Sequence, residues 1–494
     1  MAKEQSMTQR AVIALSLTVG FYFLAIVIGL GAIAAPFIIA AITGKLFIKL
    51  VIVCIITGGA ILLAILPRPD KFEPPGPLLT EAANPKLFGI LSESARATGQ
   101  VMPKSVYLLP QYNAWVAQRG GTGGVGGQRV MGIGLPLLGA MNISQFRAIV
   151  AHEFGHYYHG DTKLGPWIYK TRAAIARTLS ELESRNSVLQ APFKWYGMMF
   201  LRVTHAISRN QEFVADRLAA QTVGKSAMVS ALKKLAGHGQ AYEAYFRQEF
   251  LPVVGAGFLP PLLEGYEMFL HSGEIQSKVS EIAKKELEEG KSGKYDTHPS
   301  LRERIDEIEK MEIDDLAIET SCATDLLGSV GEIESQLIRL MNESLFPKLK
   351  PIQWSAVVES VYIESWRELA KKHVAFLATI SPRKLSEIAA APDGYIAGFG
   401  SQEESGKTSG EARIHEFNAA IASGLIMSLL EHGWNVEAEL GADVILRRGE
   451  REIKPFAILF ALSKGEISRD EWNRLCDETG ISGIALSGSL SAPS

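Results

Sequence analysis

Residues 151–161 read AHEFGHYYHGD, which sets three histidines, a glutamate and an aspartate within a few helical turns. His152 and His156 are four apart, so on an α-helix they share a face and can each aim a ring nitrogen at one ion. Glu153 lies one step round that helix, which sets its carboxylate beside a metal-held water, where a general base is wanted. A surface helix that spells His-Glu-x-x-His by accident is the plain alternative, and the neighbouring sequence has to choose between them.

A catalytic zinc site takes three protein ligands and leaves one position open. One zincin pattern places the third ligand, a histidine, six residues after the second and after a glycine. Here Thr162 holds the histidine position and His159 the glycine position, so that pattern fails. His159 is seven residues beyond His152, about 10 Å of helical rise, which is too far to share a tetrahedral ion with it. It is expected to be a flanking residue that neither metal binding nor activity needs. A second helix offers another solution in SRNQEFVADRLAA (208–220), where Glu212 and Asp216 are four apart on one face. Glu212 could bind the zinc while Asp216 accepts a hydrogen bond from a ligand histidine. An exposed acidic face paired with Arg209 and Arg217 would show the same spacing.

HEFGH followed by SRNQEFVAD resembles the gluzincin peptidase family that holds the HtpX heat-shock protease and the CAAX prenyl endopeptidase. Three further stretches share the resemblance: NAWVA (Asn113–Ala117), GLPLL (134–138) and THPSLRERI (Thr297–Ile305). Together they cover roughly residues 75–310. The resemblance implies one Zn2+ per chain on His152, His156 and Glu212, with Glu153 as base. It implies that His298 stabilises the oxyanion. It also implies that the strand bearing Asn113, Ala114 and Trp115 pairs with an extended substrate through backbone hydrogen bonds. The activity expected is a membrane-anchored zinc endopeptidase that hydrolyses extended protein substrates by a zinc-bound water, in a setting of membrane protein quality control. The alternative is a catalytically idle membrane-anchored adaptor whose C-terminal domain binds a protein partner. The intact set His152, Glu153, His156 and Glu212 speaks against it.

These residues need elements to hold them. Asn142-Ile-Ser-Gln145 has capping-box spacing and predicts the start of the His152 helix, running to about Gly160. Residues 102–116 and VMGIGLPLL read as two strands around the loop RGGTGGVGGQR. No Gly-Lys-Ser/Thr closes that loop into a phosphate cradle.

Before all this lie two uncharged apolar runs, Ala11–Thr43 and Leu50–Leu66, long enough for a hairpin of two transmembrane helices. Pro36 is expected to break or kink the first run. A cleaved signal peptide, with Ala32-Ile33-Ala34 as its processing site, fits poorly, because its apolar core is too long and a second run follows. Lys3, Arg10, Arg68 and Lys71 flank the hairpin, against Lys45 and Lys49 within it. The bias places the catalytic domain on the cytoplasmic side of a cell (inner) membrane, the chain crossing it more than once.

HtpX-type members carry further spans between the metal-binding helices. Here residues 162–207 contain Arg172, Arg177, Glu181, Glu183, Arg185 and Lys194. No second hairpin is expected, although WYGMMFLRV (195–203) can lie against the bilayer. At 494 residues the chain should hold several domains. The division expected is a membrane hairpin (1–70), a zincin-like peptidase domain with a small sheet (71–315), a helical connection (316–400), and a linker with a small α/β accessory domain (401–494). The fold class is α+β, mainly helical. In the last segment SQEESGKTSGEA (401–412) reads as the linker, and WNVEAEL, ADVILRR and KPFAILFAL read as strands. A net charge of −3 gives no footprint for nucleic acid. Cys54, Cys322 and Cys476 make neither a disulfide framework nor a cysteine metal site.

Overall fold

The computed structural model describes residues 7–68, 70–121, 127–156, 165–185, 187–290, 292, 298–397, 399 and 410–490. It is mainly helical, with small sheets, and divides into two compact units. One is built from residues 1–240 and 279–343, the other from residues 241–278 and 344–494.

The first unit opens with helix α1 (Met7–Thr43) and helix α2 (Ile48–Ala64). From Val12 to Thr43, α1 is long and apolar enough to cross a bilayer, while α2 is a shorter apolar helix. The expected break at Pro36 is absent, since α1 runs through it. The ring removes one backbone donor and crowds the preceding turn, and the helix continues on either side of it. The two helices pack antiparallel through small residues. A methyl group on Gly58 would run into the Gly29 carbonyl, so the backbones meet where no side chain intervenes. Outward, Phe23, Leu30, Ile38, Ile52 and Val53 are exposed, as suits an apolar surround.

A four-stranded sheet follows, with strands β1 (Leu78–Leu79), β2 (Ser105–Leu109), β3 (Ala114–Arg119) and β4 (Gln128–Gly134) in the order β1-β2-β4-β3. Helix α3 (Pro85–Ala97) links β1 to β2. The segment expected as one strand over 102–116 is thus two, split at Pro110–Asn113. β2 runs parallel to β4 and β3 antiparallel to it, which leaves β3 as an edge strand. GLPLL, leading out of β4, forms the short helix α4 (Leu135–Ala140).

Helix α5 (Ile143–Gly155) begins at a full capping box: Gln145 N–H donates to Asn142 Oδ1 at 2.8 Å and Asn142 N–H to Gln145 Oε1 at 3.0 Å. The Gln145 amide also donates to Ser230 Oγ, at 2.7 Å, on helix α8 (Lys225–Tyr245). Regular helix ends at Gly155 with His156 as C-cap, so the expected extension to Gly160 lies outside the described residues, as do His159 and Asp161.

Helix α6 (Gly165–Glu183) and helix α7 (Gln190–Val223) form a hairpin against the N-terminal pair. Phe21, Ala25 and Ile61 pack with Ile175, Leu182, Phe193, Tyr196 and Phe200 in one apolar cluster. Tyr196 donates its hydroxyl to the Leu17 carbonyl at 2.6 Å, and Arg177 donates to the Ala64 carbonyl at 3.0 Å. The charged residues of α6 and α7 therefore sit on helices that pack against α1 and α2.

The second unit has its core around the helix Gly410–Glu431, where Phe417, Ile421, Leu425, Trp434, Leu446 and Trp472 are buried together. Beside it lies an antiparallel meander of Asn435–Glu437, Ile445–Arg448 and Arg451–Ile453. KPFAILFAL, read above as a strand, is instead largely the helix Ile458–Lys464, stopped by Gly465 in the left-handed conformation. A continuous apolar run has no period to tell helix from strand. The closing helix Arg469–Thr479 starts at a Ser468–Glu471 capping box. The linker stretch 401–409 lies outside the described residues.

Candidate metal centre and active site

α5 and α7 cross where Gly155 meets Ala215. A Cβ on Gly155 would lie 2.8 Å from the Ala215 Cα, so only glycine lets the helices approach this closely. That contact brings His152 and His156 on α5 against Glu212 and Asp216 on α7. The acidic pair is not an exposed face: Glu212 is 5% and Asp216 1% accessible.

His152 Nε2 lies 3.4 Å from Glu212 Oε2 and His156 Nε2 3.7 Å from Glu212 Oε1. Four bonds of about 2.1 Å in a tetrahedron put neighbouring donors roughly 3.4 Å apart. Two imidazole nitrogens and one carboxylate at these spacings fit a zinc ion. Glu153 stands beside them, half-buried, its carboxylate within 4.8 Å of both ring nitrogens. The Val116 backbone N–H, on β3, hydrogen-bonds that carboxylate. His152 is buried whereas His156 keeps 30% of its side chain accessible, so the centre opens on the His156 side.

A ring of groups fixes these side chains. His152 Nδ1 donates to Asp216 Oδ1 at 2.9 Å, which turns Nε2 towards Glu212. Arg304, on the helix Leu301–Glu309, donates from Nε to Asp216 Oδ2 at 2.8 Å and from Nη2 to Asp216 Oδ1 at 2.6 Å. His298 sets Nδ1 2.9 Å from Glu212 Oε1, with 64% of its side chain exposed.

Burial opposes charge on His152, but the bonds to Asp216 and Glu212 outweigh it and push its pKa up to about 9. Burial and the neighbouring His152 push His156 down to about 4. Burial, with Glu212 nearby, pushes Glu153 up to about 7 against the pull of His152. Burial would raise Glu212 and Asp216, yet His152 and His298 hold Glu212, and Arg304 holds Asp216, well below the ordinary carboxylate range. The hydrogen bond to Glu212 raises His298 above the usual histidine value.

Of the substrate-strand residues, Ala114 and Trp115 are on β3 and Asn113 directly precedes it. The Asn113 carbonyl accepts from Gly134 N–H at 2.7 Å, and the Trp115 ring lies over Gly132 of β4. Among the described residues β3 ends the sheet, and its far edge passes Glu153 at Val116.

The sequence assigns no role to Arg304, and to Val116 only a place in the NAWVA strand, not the contact with Glu153. For Arg304 a signal existed. Leu301, Ile305 and Ile308 mark a buried helical stripe, and Arg304 falls on it, where a cation needs a carboxylate.

A His-Glu-x-x-His helix joined by a glutamate from a following helix is the donor set of a gluzincin-type metallopeptidase. Residues 81–312 match the model of Peptidase family M48. Protease HtpX of Idiomarina loihiensis is 30% identical over 166 residues, covering 30% of this chain and 56% of that protein. Protease HtpX of Xanthomonas oryzae pv. oryzae is 26% identical over 186 residues, or 33% and 62% of the two chains. A protease HtpX homolog of Campylobacter concisus is 25% identical over 243 residues, or 46% and 74%. The chain thus spans less than two thirds of the first two relatives' length. No solved structure matches it.

Proposed function

We propose that this chain is a membrane-anchored zinc endopeptidase. One observation carries the reading: His152 Nε2, His156 Nε2 and the Glu212 carboxylate converge at zinc-ligand spacings, with the Glu153 carboxylate beside them. The M48 domain match and the proteases among its relatives support it.

A zinc ion held there supplies Lewis-acid activation of water and of the scissile carbonyl. Glu153 takes a proton from the attacking water as the new C–O bond forms. It then delivers that proton to the amide nitrogen as the C–N bond breaks. The Val116 N–H holds the carboxylate in place for both transfers. His298, at the exposed rim, donates to the oxygen that gains charge. The outer edge of β3 binds an extended substrate through backbone hydrogen bonds, which is tolerant of side-chain sequence. Asp216 fixes the His152 ring, and neither metal binding nor activity needs His159.

α1 and α2 anchor the enzyme as a membrane hairpin, with the catalytic domain on the cytoplasmic side of a cell membrane, where damaged membrane proteins are one class of substrate. Residues 316–400 connect this domain to an accessory domain in 401–494 that recruits a protein partner.

The test is metal analysis of the purified full chain in detergent, paired with a chelator-reversible cleavage assay on an unfolded protein. Stoichiometric zinc and zinc-restored cleavage are expected. A chain that holds neither zinc nor activity is the idle adaptor instead.

A further inference from the structure

We infer that Arg304 is a positioning residue of the metal centre, acting through Asp216. The inference rests on the zinc reading of His152, His156 and Glu212. Arg304 retains 14% of its side chain accessible and Asp216 1%, so this pair is held out of water. Both nitrogens on one edge of the guanidinium are used, Nε on Oδ2 and Nη2 on Oδ1. Asp216 Oδ1 thus receives two donors, Arg304 Nη2 at 2.6 Å and His152 Nδ1 at 2.9 Å.

The consequence is a directed carboxylate. Three carboxylates, of Glu153, Glu212 and Asp216, crowd around two histidines. An unrestrained Asp216 would compete with Glu212 for the ion, or leave the His152 ring free to turn. The planar fork of Arg304 holds both Asp216 oxygens away from the centre and neutralises one of the three charges. Its Nη2 also stands 3.6 Å from Glu212 Oε2, so the same cation lies against the third ligand. A lysine could supply the charge but not the fork.

This arrangement depends on a helix far away in sequence. The Ser300–Glu303 capping box starts the helix Leu301–Glu309 directly after Pro299, with Ser300 as N-cap, and Arg304 occupies its second turn. His298 and Arg304 therefore approach the two α7 carboxylates from one short segment, His298 at Glu212 and Arg304 at Asp216.

The experiment measures zinc affinity of the metal-stripped full chain by competition with a chelating dye. Variants are R304A, R304K, D216N and R304A/D216N, each checked for folding by circular dichroism. R304A should weaken zinc roughly 10- to 100-fold. R304K should recover only part of that loss, and it carries the test alone if R304A does not fold. Because Arg304 acts through Asp216, the double variant should bind zinc no more weakly than D216N. Wild-type affinity in R304A or R304K, or single losses that add in full in the double variant, would overturn the assignment. Wild-type chain that binds no zinc would instead sink the metal-centre reading itself.

Discussion

Gly155 of α5 lies so close to Ala215 of α7 that a Cβ would fall 2.8 Å from the Ala215 Cα and 3.1 Å from its Cβ. The helix crossing that builds the centre is set by these two small residues. G155A must push the helices apart and should cost about 1–3 kcal/mol. It should also weaken zinc, because His156 and Glu212 flank the contact. Thermal unfolding and zinc titration of the variant check both; unchanged values in both would show that the crossing tolerates more than the geometry allows.

Glu153 and Glu212 are both carboxylates at the site, yet their losses should differ in kind. E153Q should bind zinc like the wild type and cleave about 100- to 10,000-fold more slowly. E212A should lose the metal itself. Measuring zinc content and single-turnover cleavage on the same samples separates the two, and normal cleavage by E153Q would remove it as the base.

H298A should leave zinc bound and lower kcat about 100-fold with little change in KM, as expected for a group that meets charge only in the transition state. A change confined to KM would assign His298 to substrate binding instead.

In the second unit, Glu249 accepts from the Tyr362 hydroxyl at 2.9 Å and from Gly441 N–H at 3.3 Å. Burial raises its pKa against those two bonds. The folded state therefore keeps a proton that the unfolded chain has released. Stability is fully retained below the unfolded value near 4.5 and falls as pH rises through the higher folded value. E249Q should flatten this slope and gain on the wild type as pH rises towards 8. Melting curves across pH 4.5–8 read the difference between the two proteins; parallel curves would contradict it.

What the sequence disclosed follows from the range of each interaction. His152, Glu153 and His156 are fixed by one helix, and the Asn142–Gln145 capping box that starts it is equally local. Glu212 and Asp216 could be named because an i, i+4 pair on a second helix is also a local pattern. Their burial, and hence their separation from an ordinary acidic face, required the crossing at Gly155. Arg304 meets Asp216 from 88 residues away, and that meeting depends on how the helix Leu301–Glu309 docks on α7. KPFAILFAL misled for another reason: an apolar run without polar interruptions carries no period.

α7 is one uninterrupted helix from Gln190 to Val223. Phe200 closes its cluster with α1 and α2, and Glu212 follows twelve residues later, about 18 Å along the axis. A rod of fixed length therefore links the N-terminal helix pair to the His152–Glu212 centre. On the proposed reading, with α1 and α2 in the bilayer and α7 leading away from it, a peptide leaving the membrane region would cross a gap of about 18 Å, or five or six extended residues at about 3.3 Å each, before it reached the His152–His156–Glu212 centre. Such an enzyme would trim protruding tails and slack loops, and spare bonds close to the lipid. Mass spectrometry of cuts in a membrane-anchored test substrate should place the first ones beyond that gap, and cuts inside its spanning segment would show that the rod sets no such limit.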